Sequence, residues 1–540
     1  MADQRVDLVA ASRAVDLGAD VVAAATGRLA ELGGVDANQV LAYELAHAAS
    51  AASISRAALS YAAHGDLEAR IACAFIADAL ADLAARTVGR EAAWGVAPDW
   101  LQPARVFVTA CRDPRFLGAL AESPGPTHLD EDFTLVAQTF HRFAAERVRP
   151  HAEHVHRTNG DIPEELISGL AELGGLGLSV PEAYGGFAAG GEHDYLGMVV
   201  ATEELTWGSL GIGGSLITRP EILTRALVNG GTDEQRARWL PRLATGEELA
   251  AVAVTEPDFG SDVAGITTTA TRVDGGWVVN GTKTWCTFAA RATVLMLLVR
   301  TDPDRSAGHR GLSVLLVEKP VGDAHGFRFS QPPRSAGDAP GRLEGRPIDT
   351  IGYRGMHSYE LSFENWFVPE DCLVGGDAGL GRGFYLQMAG FENGRIQTAA
   401  RALGVMQAAY DAAVDYARDR RVFGSEILSY ELTRAKLGRM VAIIQCARQY
   451  AYEVARMMAG GEGSLEASMA KAYVCRAAEW VTREAMQIHG GMGYAEEYPV
   501  SRYFVDARVL SIFEGADETL CLKVIARRLV ERQREVSSSG

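Results

Sequence analysis

Ala253-Val254-Thr255-Glu256-Pro257-Asp258-Phe259-Gly260-Ser261-Asp262 is where the period of this 540-residue chain changes. Before it, from Asp3 to about Gly246, apolar residues recur at helical spacing, as where Leu67, Ile71, Phe75 and Ile76 fall on one face. From Val252 onward the runs shorten and turn β-rich: Val252 to Thr255, Thr267 to Val273, Gly276 to Asn280, Val294 to Arg300, Leu312 to Glu318 and Leu361 to Val368 read as strands. Asp274-Gly275-Gly276 and Asn280-Gly281 read as turns between them. After Gly375 to Gly383 the helical period returns over 384–420, 429–459, 464–488 and 516–535, enough for an antiparallel bundle. The pattern predicts an α+β multidomain chain. An N-terminal helical extension (1–125) ends at Ser123-Pro124-Gly125-Pro126, and a helical domain (126–248), a sheet domain (249–378) and a helical bundle (379–540) follow.

Composition supports several cores, since domains hold roughly 100 to 200 residues and 48% of the chain is hydrophobic. The 69 acidic against 52 basic residues leave a formal charge of −17. Nucleic acid and anionic membranes need clustered Lys and Arg, so neither is expected as a partner. Cys73, Cys111, Cys286, Cys372, Cys446, Cys475 and Cys521 are scattered, with no Cys-x-x-Cys pair to suggest zinc or a dithiol. Free thiols in a reducing compartment are expected. Met1 to Val15 lacks the basic-then-apolar run of a signal peptide, and the longest aliphatic runs, such as Val294 to Val299, fall short of a bilayer span. A cytoplasmic protein is the expectation.

The extension carries an internal echo. Leu41-Ala42-Tyr43-Glu44-Leu45 matches Leu428-Ser429-Tyr430-Glu431-Leu432, and Gly65-Asp66-Leu67-Glu68-Ala69 matches Gly463-Ser464-Leu465-Glu466-Ala467, in the same order. Between these anchors the second copy is longer by about three helical turns. The extension therefore reads as a shortened relic of the C-terminal bundle, against the alternative that two Ala-rich helices coincide by composition.

Two stretches carry candidate chemistry. His151, His154 and His156 have helical spacing but no acidic or cysteine partner at ligand spacing, so a solvated helix face is expected and no metal. Near the end, Glu514 follows the apolar Val509, Leu510, Ile512 and Phe513 and precedes Gly515. A carboxylate held out of water on a turn suits a general base. The blander reading is a solvated glutamate before a helix-capping glycine.

The opening stretch does not stand alone. Asn280-Gly281-Thr282-Lys283-Thr284-Trp285-Cys286-Thr287, Arg420-Arg421-Val422-Phe423-Gly424, Gln487-Ile488-His489-Gly490-Gly491 and Phe513-Glu514-Gly515 follow it in order. With these five motifs the chain from about 128 to 535 resembles the acyl-CoA dehydrogenase family. The resemblance implies that family's fold: a helical domain, a β-barrel-like sheet domain and a C-terminal four-helix bundle, here with an extra N-terminal helical extension. It also implies FAD as cofactor, an acyl-CoA substrate, an electron-transferring flavoprotein as electron acceptor and a homo-oligomer, a tetramer in most members and a dimer as the alternative.

By the same resemblance the flavin contacts are Val252, Ala253, Val254, Thr255, Gly260, Ser261, Trp285, Cys286 and Thr287. A neighbouring subunit supplies Arg420, Phe423, Gln487, Ile488, His489, Gly490 and Gly491. Each type makes sense there: hydroxyls and backbone amides donate to ring atoms, Trp285 packs on the ring, and a guanidinium pairs bidentately with pyrophosphate. No Gly-x-Gly-x-x-Gly appears, so a Rossmann site is not expected. Glu514 is the implied catalytic base, taking the α-proton while the β-hydrogen leaves as hydride to flavin N5. Its backbone N–H and a ribityl hydroxyl steady the thioester oxygen. Some members carry the base directly before the arginine that matches Arg395; here Gly394 stands in that place.

Arg395 matches a position that contacts CoA, and Ser261 and Gly515 complete the substrate contacts. The extension and the context Phe513-Glu514-Gly515-Ala516-Asp517-Glu518-Thr519 point within the family to a short acyl chain with an α-methyl group and a distal carboxylate. Gly394 would make room beside the α-carbon, and Arg219 is the candidate for the carboxylate. The alternatives are a dehydrogenase or oxidase for another short branched or dicarboxylic acyl-CoA, a flavin monooxygenase, which Glu514 argues against, and a non-catalytic scaffold of the same fold.

Overall fold

The computed structural model describes residues 6–323 and 325–539. The first five residues of the extension and Gly540 at the end of the bundle lie outside the described residues. The chain divides into two compact units: residues 136–397 form one, and residues 1–135 with 398–540 form the other. No described helix is long and apolar enough to cross a membrane.

The 136–397 unit is built on one sheet. Strands β1 (Ala250–Ala253), β2 (Thr269–Val273), β3 (Gly276–Thr287), β4 (Val294–Arg300), β5 (Leu312–Glu318), β6 (Phe327–Gln331), β7 (Gly341–Ile348) and β8 (Ser358–Pro369) lie in the order β1-β4-β2-β3-β8-β7-β6, with β5 on β4. β1 and β2 run parallel to β4, and the other pairs are antiparallel. Several short helices and two longer ones, Thr218–Gly230 and Asp233–Thr245, precede the sheet. The second longer helix opens on a capping box between Thr232 and Gln235 and stops at Gly246 in the left-handed region.

Two expectations need correcting here. Asn280-Gly281 is not a turn, because β3 runs through it. A bulge between Val279 and Gly281 breaks the register with β8, and Asn280 Oδ1 accepts the Asn365 N–H at 2.8 Å in place of a ladder bond. Pro332 to Arg346, rich in Gly and Pro, reads as a loop in the sequence, yet its end is strand: β6 and β7 form a hairpin that extends the sheet beyond β8. Gly345 has a packing reason, since a Cβ there would lie 2.3 Å from the Phe327 ring.

Among its described residues the other unit holds helices and one small hairpin, Arg421–Val422 with Ser425–Glu426. The extension supplies Leu8–Glu31, Gln39–Ala62 and Asp66–Thr87. The C-terminal part supplies the end of Gly383–Asp419, then Glu431–Ala459, Ser464–Ile488, Pro499–Leu510 and Ala526–Ser539. Pro499–Leu510 was absent from the expected bundle helices.

The two ends of the chain share a core, in which Val21, Leu29, Leu45 and Trp94 pack with Ala526 and Val530. Backbones also approach closely: a Cβ on Gly438 would lie 1.8 Å from the Leu117 carbonyl, so only glycine fits there. The expected linker is tied down, with Pro126 O accepting from Tyr61 Oη at 3.1 Å and from Gln445 Nε2 at 2.6 Å. In the proposed repeat, Gly65 and Gly463 each stand at the N-cap of the second helix of a pair. The first anchor is offset: Tyr43 lies inside its helix, whereas Tyr430 immediately precedes its own.

Candidate active site

In the sheet unit, Val252 and Ala253 end β1, and Thr255 follows on a segment that crosses to β3. The Thr284 N–H donates to Thr255 O at 2.8 Å, and beneath it the Lys283 ammonium donates to Val254 O and to Glu256 Oε1, both at 2.9 Å. Lys283 is fully buried and Glu256 nearly so. Burial works against ionising Glu256, but Lys283 and the donors Thr268 and Thr267 outweigh it and hold the carboxyl down at about 2. The sequence motifs contained this pair without revealing it. The signal was a lysine in a half-apolar strand together with an acidic residue in the loop after β1.

Past Lys283 the pairing with β8 shifts register before Cys286, and this irregularity throws Trp285 outward: its φ is +58° and 56% of it is exposed. Thr287 is buried, its Oγ1 3.2 Å from Ser358 Oγ. Ala253, Val254 and Cys286 are buried. Gly260 and Ser261 lie exposed, with open space where a Cβ on Gly260 would sit. Hydroxyl and amide donors beside an exposed indole are the donor set that a flavin ring takes, so these residues fit FAD.

In the same unit, Arg219 on helix Thr218–Gly230 is buried, and its Nη2 donates to Tyr353 Oη at 3.3 Å. This helix packs on Gly383–Asp419 where Gly390 meets Ile222. Gln387 and Gly394 stand one turn to either side of Gly390, on the same helix face. Gln387 and Gln397 are buried, as are Thr218 and Thr224, and their side-chain polar atoms find no hydrogen bond among the described residues. Such atoms are what a polar ligand or water would satisfy. Gly394 is buried and Arg395 half-buried.

In the helical unit, helix Pro499–Leu510 stops four residues before Glu514, which itself sits at φ +54° ahead of Gly515 at φ +98°. Glu514 is therefore not the last turn of a helix before a cap, and its side chain is only 7% exposed. The turn is held from several sides. The Asp517 N–H donates to Ser511 O at 3.0 Å, Lys471 Nζ to Gly515 O at 2.5 Å, and Ser511 Oγ to Glu479 Oε1 at 2.6 Å. Arg401 Nη2 stands 4.0 Å from Glu514 Oε1, and the same guanidinium lies 4.7 Å over the Phe513 ring and donates to Thr398 Oγ1 at 2.6 Å. Neither Arg401 nor Lys471 was predicted. Each is a lone charge in an Ala-rich run, as in Ala399-Ala400-Arg401-Ala402, and such a charge signals a buried partner.

The residues expected to reach a neighbouring subunit lie on this unit's surface. Arg420, Gln487, Gly490 and Gly491 are exposed, and Phe423 is 96% exposed at the tip of the hairpin, with φ +50° before Gly424 at +83°. Ile488 and His489 are buried instead. His489 donates Nδ1–H to Ala485 O at 2.8 Å and stacks on Tyr416, and burial lowers its pKa.

The acyl-CoA dehydrogenase N-terminal domain matches residues 130–247, the middle domain 251–366 and the C-terminal domain 381–530. The chain belongs to the acyl-CoA dehydrogenase family, whose members are FAD-dependent oxidoreductases. It is 44% identical to the (2S)-methylsuccinyl-CoA dehydrogenase of Cereibacter sphaeroides, over 75% of this chain and 71% of that one. It is 35% identical to the mitochondrial isovaleryl-CoA dehydrogenase of Solanum tuberosum, over 73% of this chain and 89% of that one. A solved glutaryl-CoA dehydrogenase from Mycobacterium smegmatis, in complex with FADH2, is 26% identical at a TM-score of 0.64, covering 74% of this chain and 95% of the other.

Proposed function

We propose that the chain dehydrogenates (2S)-methylsuccinyl-CoA to mesaconyl-CoA, the reaction by which the ethylmalonyl-CoA pathway would use it. Glu514 takes the α-proton, and its place on a positive-φ turn with little exposure supports that role. FAD supplies an acceptor for the β-hydrogen as hydride. Ser261, Gly515 and Arg395 bind the thioester and CoA. Gly394 leaves room for the α-methyl group, and Arg219 receives the distal carboxylate.

The observation that carries the substrate reading is a buried arginine on a helix whose neighbouring threonines and facing glutamines have unmet polar atoms. An acyl chain ending in methyl groups would leave such a site costly to desolvate, whereas a carboxylate would fill it. An electron-transferring flavoprotein as acceptor and a homo-oligomer that completes the FAD site complete the proposal, with the exposed Arg420, Phe423, Gln487, Gly490 and Gly491 reaching the neighbouring subunit.

The test is anaerobic bleaching of the purified yellow protein by methylsuccinyl-, glutaryl-, isobutyryl- and butyryl-CoA. Fastest bleaching by methylsuccinyl-CoA is expected, and faster bleaching by isobutyryl- or butyryl-CoA would reassign the substrate to an uncharged acyl chain. Glu514→Gln should keep FAD and bind acyl-CoA, yet reduce flavin about 100- to 10,000-fold more slowly.

A further inference from the structure

The turn that carries Glu514 has one anchor that comes from the N-terminal extension. Tyr43 and His47 stand one turn apart on helix Gln39–Ala62 and converge on Asp517, three residues after Glu514. Tyr43 Oη donates to Asp517 Oδ2 at 2.6 Å, and His47 Nε2 lies 3.0 Å from the same oxygen. Cys521 closes the group, its Sγ 3.5 Å from His47 Nε2 and 3.9 Å from Asp517 Oδ1. His47, Asp517 and Cys521 are all buried. A buried carboxylate whose two nearest donors lie on one foreign helix is costly to leave without them.

Three such groups within reach of one another also have the makings of a metal site. The chemistry here argues for hydrogen bonds instead. Tyr43 Oη already donates a hydrogen bond to Asp517 Oδ2, the oxygen that His47 Nε2 also meets. Arg476 and Lys471 add positive charge close by, and burial pushes the Cys521 thiol up, so it keeps its proton.

We propose that Tyr43 and His47 are positioning residues for catalysis: by gripping Asp517 they fix the turn from Ser511 to Asp517 and so the direction in which Glu514 points. The grip acts at the end of the turn that neither Glu479 nor Lys471 holds. Asp517 also closes the turn through its own N–H to Ser511 O, so a displaced Asp517 side chain loosens both ends together. The inference rests on Glu514 being the base.

The experiment uses the full-length holoenzyme and the variants His47→Ala, His47→Gln and Tyr43→Phe. Three quantities are read: the single-turnover rate of flavin reduction by methylsuccinyl-CoA, the Kd of an unreactive thioether analogue, and deuterium uptake by peptides spanning 511–521. A misplaced base costs up to about 100-fold in rate, so His47→Ala should slow reduction by about 10- to 100-fold, and Tyr43→Phe by less, with Kd changed less than about threefold. Uptake should rise in 512–517 and not in the Leu8–Glu31 helix. His47→Gln, whose amide can still donate to Asp517, should recover most of the rate.

Unchanged reduction with unchanged uptake would overturn the proposal, as would a general loss of thermal stability with no local rise in uptake. Stoichiometric zinc in the purified protein, lost in His47→Ala, would also overturn it by making the group a metal site. Tyr43→Phe keeps the fold's volume and carries the test if His47→Ala does not fold. If Glu514→Gln reduces flavin normally, the base assignment fails and the proposal falls with it. If Glu514→Gln is inert while Tyr43 and His47 variants behave as the parent, the positioning role alone fails.

Discussion

Lys283→Met would test the support beneath the proposed flavin contacts. The ammonium is fully buried and donates to Val254 O and Glu256 Oε1, both at 2.9 Å. Methionine keeps the side chain as far as Cε but leaves the Glu256 carboxylate with the Thr267 N–H, Thr267 hydroxyl and Thr268 N–H as its remaining donors. Breaking a buried ion pair by removing one partner costs about 3 to 5 kcal/mol. Those three remaining donors place the expected loss at the lower end, about 3 kcal/mol.

The pH dependence gives a second reading of the same change. Glu256 sits at about 2 in the fold against an ordinary 4.5, so its contribution is complete above 4.5 and is lost as pH falls toward 2. In the variant the carboxyl returns toward its ordinary value. The gap between parent and variant should therefore narrow by about 0.8 kcal/mol between pH 7 and pH 4. Urea unfolding followed by tryptophan fluorescence at both pH values measures this, and FAD content after gel filtration reports whether Thr255 has moved. A loss below about 1 kcal/mol, or a gap that widens on acidification, would refute the reasoning.

Arg219→Met should raise KM for methylsuccinyl-CoA about 10- to 100-fold, the loss of a charged hydrogen bond, while KM for 2-methylbutanoyl-CoA changes little; equal effects on both would remove Arg219 from the site. Gly345→Ala places a Cβ against the Phe327 ring and should lower stability by about 1 to 3 kcal/mol through overpacking, read as a shifted urea midpoint with kcat unchanged. Glu514→Gln, described above, separates the catalytic role from binding because FAD and acyl-CoA should both be retained.

What the sequence made legible follows from burial. β4 and β5 matched their expected bounds because both faces of each are covered, giving unbroken aliphatic runs that periodicity reads without ambiguity. β6 and β7 were hidden because an edge hairpin with alternating charges, Gly341, Gly345 and Pro347 looks like loop. Asn280-Gly281 misled for a related reason: a turn signal is local, and the pairing with β8 that overrides it is set by residues far along the chain. At Glu514 the apolar approach and the glycine allowed both a desolvated carboxylate and a solvated one before a cap, and the structure buries the side chain. Its companions Arg401 and Lys471, and the Tyr43 and His47 grip on Asp517, were not, because three-dimensional proximity over such separations leaves no spacing in the sequence.

The shared core of the two chain ends has a consequence for how the protein is made. Asp36 pairs with Lys523 and Arg527, and Leu29, Leu45 and Trp94 wait for Ala526 and Val530. On the ribosome, the helices of the extension must hold their apolar faces until Ala526 and Val530 emerge, since domains otherwise fold from the N-terminus as they appear. The turn bearing Glu514 thus assembles only once these residues have emerged. A polypeptide ended between Asp517 and Lys523 would carry every sheet residue proposed to contact the flavin and still lack the closure that shapes its base.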